Sequence, residues 1–324
     1  MTVPAHPEAK IVARELLRYP FCLIATHVNP EGDAIGSQLA LAMALEQRGI
    51  NVLCYDKDGV PDNCRFMSTW ERVATELPPF MPPLVIIVDA DRLERCDLSP
   101  EKVHGAEKIV RIDHHMNENP PAGPALVDTR AAAAGELVYE LLPHLGATLT
   151  PEIATCLLGA IMVDTGRFSY SNTTPATHRI AAELVAAGAD VQTIAEWTWG
   201  RLRYPALKLR GYALASLQAS PDGRYVWAVL RAEDYQAANA GPEDTDGVID
   251  EVRLVRDSEV AVLFSERQGV VRVSLRSHQV DVAAIAQQFG GGGHLKAAGI
   301  TMEPPLEAAI CGVLHAVEES LKGS

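Results

Sequence analysis

Four segments of the 324-residue chain share one pattern: an apolar run stops, and a polar cluster able to hold a metal follows at once. They are His27-Val-Asn-Pro-Glu31-Gly-Asp33, Asp89-Ala-Asp91, Asp113-His114-His115 and Asp164-Thr-Gly. Taken singly, each has an ordinary explanation. Asp33 could cap the helix that begins at Ala34, Asp89 could stabilise a turn, and His27 alone would be structural. Gathered in one crevice, these carboxylates and imidazoles repel one another unless positive charge compensates them. Glu31, Asp33, Asp89 and Asp164 carry four negative charges, the complement of two dications. Mixed histidine and carboxylate ligation suits manganese better than calcium or a metal that prefers thiolate. Two closely spaced dications can share a bridging water, bring its pKa towards neutrality and clamp both oxygens of an in-line displacement. The chemistry so implied is metal-assisted hydrolysis by an activated water, without a covalent enzyme intermediate.

Something must bring these segments together, and the runs before them say what. Phe21 to Thr26, Val52 to Tyr55, Leu84 to Val88 and Lys108 to Ile112 read as strands, and their unbroken apolar character suits a parallel sheet covered on both faces. Ala34 to Arg48, closed by Gly49, has the period and the stop signal of a crossover helix. The expected fold is therefore α/β, with a doubly wound parallel sheet. Ligands of such sheets bind beyond the carboxyl ends of the strands, which is where three of the clusters lie. The fourth ends a helix at Val163.

The Ala- and Leu-rich stretch from Ala131 to about Leu217 reads as successive helices with breaks near Pro151, Pro175, Gly188 and Pro205. Beyond it Tyr225 to Leu230, Glu259 to Ser265 and Val270 to Arg276 read as strands, followed by a helical Val282 to Phe289 and glycines at 290 to 293. The spacing predicts a catalytic domain over residues 1–190, a helical linker over 191–218 and a smaller α/β domain with a mixed sheet over 219–324. This length favours two domains over one.

Composition narrows the partners. A formal charge of −14 argues against a protein that grips long nucleic acid, since phosphate backbones are held mainly by clustered Lys and Arg. No apolar run approaches the ~18 residues of a membrane span, and Met1 to Lys10 has no secretory core, so a cytoplasmic protein is expected. The six cysteines have neither C-x-x-C pairs nor zinc spacing and are expected to be reduced thiols.

The motifs carry a resemblance. The chain resembles the DHH phosphoesterase superfamily, which includes RecJ-type single-strand exonucleases and family II inorganic pyrophosphatases. Asp113-His114-His115 matches the motif that names it, H-V-N-P-E-G-D-A-I-G-S at 27–37 its opening motif, and Asp164-Thr-Gly-Arg-Phe its fourth. The G-G-G-G-H at 290–294 and the short chain look most like the nanoRNase/oligoribonuclease branch. What the resemblance implies is two divalent ions, Mn2+ above all. His27, Glu31 and Asp89 would hold one, and Asp33, Asp89, His114 and Asp164 the other, with Asp89 bridging. Asp113 would orient an imidazole, and His115 would face the substrate phosphate and help protonate the leaving group. Glu31 departs from the usual Asp and reaches one methylene further. Alanines at 131–134 stand where relatives often carry Ser or Thr, which leaves backbone amides as the alternative phosphate donors.

The C-terminal part resembles the DHH-associated domain. Arg276 and Ser277 at a strand end, Gly291, Gly292 and Gly293 as an anion-binding nest, and His294 are expected to bind substrate, with Arg167 reaching a phosphate. Trp197 and Trp199 read as packing residues. The resemblance implies short single-stranded RNA of dinucleotide to pentanucleotide length, cut from the 5′ end to nucleoside 5′-monophosphates, and dephosphorylation of 3′-phosphoadenosine 5′-phosphate (PAP). Long duplexes should fit poorly. The rival readings are a cyclic or linear dinucleotide phosphodiesterase acting on c-di-AMP or pApA, an inorganic pyrophosphatase and a non-catalytic nucleotide sensor. A homodimer is among the assemblies the sequence leaves open.

Overall fold

Alternation within continuous apolar strands organises the first half of the chain. The computed structural model describes residues 6–115, 123–267 and 269–322. It divides into two compact units, Met1–Arg201 and Leu202–Ser324. The first holds a six-stranded, wholly parallel sheet of β1 (Phe21–Ala25), β2 (Asn51–Tyr55), β3 (Val73–Ala74), β4 (Leu84–Val88), β5 (Lys108–Asp113) and β6 (Ala125–Val127), in the order β3-β2-β1-β4-β5-β6.

Both faces of that sheet are buried. Cys22, Ile24, Leu84, Ile86 and Val88 point to a core shared with α1 (Ala9–Leu16), α2 (Gly32–Glu46), α3 (Ala134–Leu145), α4 (Pro151–Asp164) and α5 (Pro175–Ala186). Their neighbours Leu23, Ala25, Val85 and Ile87 join Cys96, Leu98 and Val103 in a second core. That is why these strands show no polar alternation. The strand order reverses between β1 and β4, so the crevice above their carboxyl ends is the topological switch point.

The helix breaks fall at the prolines. Thr150 caps α4 and Pro151 opens it, while Thr174 and Thr177 form a capping box around Pro175, the first residue of α5. In the stretch expected as a linker, α6 (Val191–Ala195) and a π turn at Glu196–Gly200 belong to the first unit, and α7 (Tyr204–Ala215) to the second.

The second unit is built on a mixed sheet of β7 (Gln218–Ala219), β8 (Tyr225–Leu230), β9 (Val260–Arg267), β10 (Val270–Ser277), β11 (Gly292–His294) and β12 (Ala297–Met302). Its order is β11-β12-β10-β9-β8-β7, and only β8 and β9 run parallel. One face packs on α7, α8 (Ala232–Ala238) and α9 (Val248–Val252), the other on α10 (Val282–Gln287) and α11 (Leu306–Lys322). All six cysteines are unpaired, and no helix among the described residues is long and apolar enough to cross a membrane.

Candidate metal centre

Each cluster sits where an element of the first unit ends. His27 follows β1, Asp89 follows β4, Asp113 closes β5 ahead of His114 and His115, and Asp164 is the last residue of α4. Asp33 lies in the first turn of α2. Two glycines let α2 reach α4: a Cβ at Gly32 would lie 2.5 Å from Val163, and one at Gly36 would lie 2.5 Å from the carbonyl of Cys156. This close approach sets Asp33 beside Asp164. Asp89 adopts φ +57°, the left-handed region that Asp tolerates better than most residues, and so turns its carboxylate into the crevice.

The side chains converge. His114 Nε2 lies 3.4 Å from Asp89 Oδ1, 3.5 Å from Asp164 Oδ2 and 3.7 Å from Asp33 Oδ2. His27 Nε2 approaches Asp89 Oδ2 at 3.5 Å, and His115 Nδ1 approaches Asp89 Oδ1 at 3.5 Å. Two groupings, Asp33/His114/Asp164 and Asp89/His114/His115, each offer donor atoms within 4.8 Å of one another and could hold a metal ion. Asp89 Oδ1 is buried without any hydrogen-bond partner. An orphaned carboxylate oxygen facing imidazole nitrogens is what a shared cation would satisfy.

The rest of each ring is held from behind. His27 Nδ1 meets the carbonyl of Val28 at 3.0 Å and His114 Nδ1 that of Ala131 at 3.2 Å. A carbonyl only accepts, so both Nδ1 atoms carry the proton and both Nε2 atoms are left for the crevice. Asp113 Oδ1 accepts from the backbone N–H of His115 at 3.1 Å and meets its Nδ1 at 2.8 Å.

Proton affinities record the crowding. Burial, reinforced by Asp89 and Asp164, pushes Asp33 well above the usual carboxylate range, and burial with Asp89 and Glu31 nearby pushes Asp164 to about 6. Against its own burial, Asp89 is drawn down to about 2 by His114 and His27. Burial works against the charged form of His114 too, yet Asp89, Asp33 and Asp164 hold it up at about 10. Without cations the cluster keeps protons to balance its charge, and dications would take their place.

Six expected site residues therefore meet: His27, Asp33, Asp89, His114, His115 and Asp164. Glu31 is exposed, precedes α2, and joins neither grouping; its charge still reaches Asp164. Asp33 does not cap its own helix. Its carboxylate takes the N–H groups of Ala134 and Gly135 and the hydroxyl of Ser37. The amides at the start of α3 are thus engaged by Asp33, and Ala132 N–H by Glu136, rather than held open for a phosphate.

Arg167 has φ +60° and stacks on Trp199 at 5.1 Å, and Trp199 packs on the first core. In the second unit Arg276 lies at the end of β10 and pairs with Asp250 at 3.3 Å. The expectation for the Ser277 side chain needs correction, because its hydroxyl is buried and donates to the carbonyl of Val280. The glycine run also differs from a nest of free amides. Gly290 and Gly291 donate to Gln287 and Ala286, and Gly292, Gly293 and His294 form the exposed edge strand β11.

Three supporting residues escaped the sequence reading. Ser37 holds Asp33. Asn172 donates to the carbonyls of Ala132 and Asp164, both at 3.0 Å, and so ties the fourth motif to the start of α3. Arg111 is buried beneath Asp113. Ser37 closes the opening motif at 27–37, where no role was given to it, and Arg111 left a signal as a charge inside an apolar strand two residues from Asp113.

Residues 22–161 match the family model described as the DHH family, N-terminal domain, and residues 222–323 match the DHHA1 domain. A protein of Thermus thermophilus named bifunctional oligoribonuclease and PAP phosphatase NrnA is 37% identical over 302 residues, covering 92% of this chain and 89% of the relative. The chain belongs to the DHH family. Another relative, the probable bifunctional oligoribonuclease and PAP phosphatase NrnA of Streptococcus mutans, is 26% identical over 90% of this DHH chain and 92% of its own length. The fold is shared with an exopolyphosphatase-related protein of Bacteroides fragilis, with a TM-score of 0.88 over 98% of each chain at 23% identity.

Proposed function

We propose that this DHH chain is a cytoplasmic, manganese-dependent phosphoesterase. It shortens RNA of dinucleotide to pentanucleotide length from the 5′ end to nucleoside 5′-monophosphates, and it also removes the 3′-phosphate of PAP. The observation that carries the reading is the convergence of Asp33, Asp89, His114 and Asp164 around a buried Asp89 oxygen with no hydrogen-bond partner. The Thermus and Streptococcus relatives, whose names join an oligoribonuclease to a PAP phosphatase, support the substrate class.

In this reading Asp33, Asp89, His114 and Asp164 hold one ion, and His27, Glu31 and Asp89 hold the other. Bound there, the pair supplies Lewis acidity at the phosphoryl group and activates water for in-line attack. The chain's own groups do the positioning. His27 and His114 are locked with Nε2 inward by the carbonyls of Val28 and Ala131. Asp113 grips Nδ1 of His115, whose side chain is 39% exposed, which leaves Nε2 to bind a non-bridging oxygen and give a proton to the leaving group. Arg276 and His294 of the second unit are the groups assigned to a phosphate and a base.

Initial rates test this. With Mn2+ added, a 5′-phosphorylated RNA dimer, a pentamer, a strand of about 24 nucleotides, PAP and c-di-AMP are compared. The dimer and PAP are expected to be turned over fastest. Equal rates on the dimer and the long strand, or c-di-AMP as the best substrate, would refute the assignment.

A further inference from the structure

Arg111 is the one charged residue inside the apolar run of β5, and it is buried, with a relative exposure of 6%. A guanidinium stays ionised in any surroundings, so burying one is costly unless acceptors face it. Two do. Nη1 donates to the backbone carbonyl of Asp91 at 2.8 Å, and Nε lies 3.9 Å from Asp113 Oδ2. Both Arg111 Nε and Asp113 Oδ2 are buried and have no hydrogen-bond partner, so each is the other's counter-charge.

These acceptors belong to two different arms of the site. Asp91 closes the turn Asp89-Ala90-Asp91, whose first residue is the left-handed Asp89. That turn is tied to β5 at its start, where Asp89 N–H donates to Ile112 O at 3.0 Å, and at its end by Arg111. Asp113 is the residue whose other oxygen holds the backbone and ring of His115. One side chain thus touches the support of the shared carboxylate and the support of the outward imidazole.

We propose that Arg111 is a positioning residue, a buried clamp that fixes the Asp89 turn and, through Asp113, the His115 ring at once. The inference rests on the functional reading above, and it adds a residue outside the metal ligands and the substrate groups. Its fork is the reason that arginine serves: lysine carries the charge but cannot span the Asp91 carbonyl beyond β4 and the Asp113 carboxylate at the end of β5.

The test uses the full chain and the variants Arg111→Met, Arg111→Lys and Arg111→Met/Asp113→Asn. Mn2+ binding is followed by calorimetry without substrate, and kcat and KM are measured on a 5′-phosphorylated RNA dimer. Arg111→Met is expected to weaken Mn2+ binding by about tenfold or more, the range found when groups behind metal ligands are removed. It should lower kcat by a larger factor than it changes KM, and Arg111→Lys should recover only part of both losses. If Arg111→Met does not fold, the double variant, which removes the stranded carboxylate as well, and the lysine variant carry the comparison. Mn2+ affinity and kcat within twofold of the parent in either Arg111→Met or Arg111→Lys overturn the clamp. A parent chain that binds no Mn2+ overturns the reading beneath it instead.

Discussion

The carboxylate of Asp33 accepts the backbone N–H of Ala134 at 2.6 Å, across 101 residues of sequence. Ala133 occupies the N-cap position of α3 and has no side-chain acceptor, so the first turn of that helix borrows its cap from α2. One aspartate therefore closes a helix and faces His114 at 3.7 Å. Deleting the residue removes a structural and a chemical role together.

Asp33→Ala should cost the metal-free chain about 1–2 kcal/mol, the usual loss for a cap, while Asp33→Asn, which keeps one acceptor oxygen, should cost less. Melting at pH 5.5 isolates the cap, because Asp33 and Asp164 are both held above the ordinary carboxylate range and repel less there. Both variants should lose Mn2+-dependent turnover alike. An alanine variant that melts with the parent would contradict the borrowed cap.

Stability of the metal-free chain should fall as pH rises. Asp164, raised from 3.8 to about 6, and Asp33, also raised, favour the folded state most below 3.8 and lose that contribution as pH passes their folded values. His114, raised from 6.5 to about 10, contributes fully below 6.5 and loses it as pH climbs through about 10. Asp89 works the other way, contributing above 3.8 and losing it only as pH falls through about 2. Because Mn2+ competes with these protons, the rise in melting temperature at fixed Mn2+ should be larger at pH 8 than at pH 5.5. A larger rise at pH 5.5 would speak against the exchange.

His115 lies in one metal-competent grouping, yet the functional reading gives it to the substrate. His115→Gln should lower kcat about 10²-fold, the scale of a lost general acid, and leave Mn2+ affinity nearly unchanged. His114→Gln should weaken Mn2+ binding outright. Equal loss of affinity in both would make His115 a ligand.

The sequence made the frame of the first unit readable for a physical reason. Strands buried on both faces have to be apolar throughout, so Leu84–Val88 was marked at its true ends and Phe21, Asn51 and Lys108 began strands within a residue of expectation. Pro151 and Pro175 marked the starts of α4 and α5, and the threonine caps ahead of them were found only in the structure. β3, β6 and β7, two or three residues each, carry too little pattern to read. The cluster was legible because its members are polar residues placed just past apolar elements. Ser37 and Asn172 were not, since a serine within a helix and an asparagine in a loop look the same whether or not they hold a ligand. At Gly291 and Gly293 the demand for a small residue comes from the neighbouring strand β12, a contact that no local spacing encodes.

That demand can be measured. A Cβ on Gly291 would sit 2.3 Å from the carbonyl of Gly299, while one on Gly292 meets nothing within 4 Å. Gly291→Ala should therefore destabilise the chain by about 1–3 kcal/mol, the cost of overpacking, and Gly292→Ala by well under about 1 kcal/mol. Guanidinium melts decide, and equal midpoints would refute the packing reason for Gly291.

Where the cations sit decides the whole account. A crystal of the chain grown with Mn2+ and measured at the manganese absorption edge should give two anomalous peaks on opposite sides of the Asp89 carboxylate, one against Asp33, His114 and Asp164 and the other against His27. No peak in that crevice, or peaks only outside the reach of Asp89, would contradict a shared two-metal site.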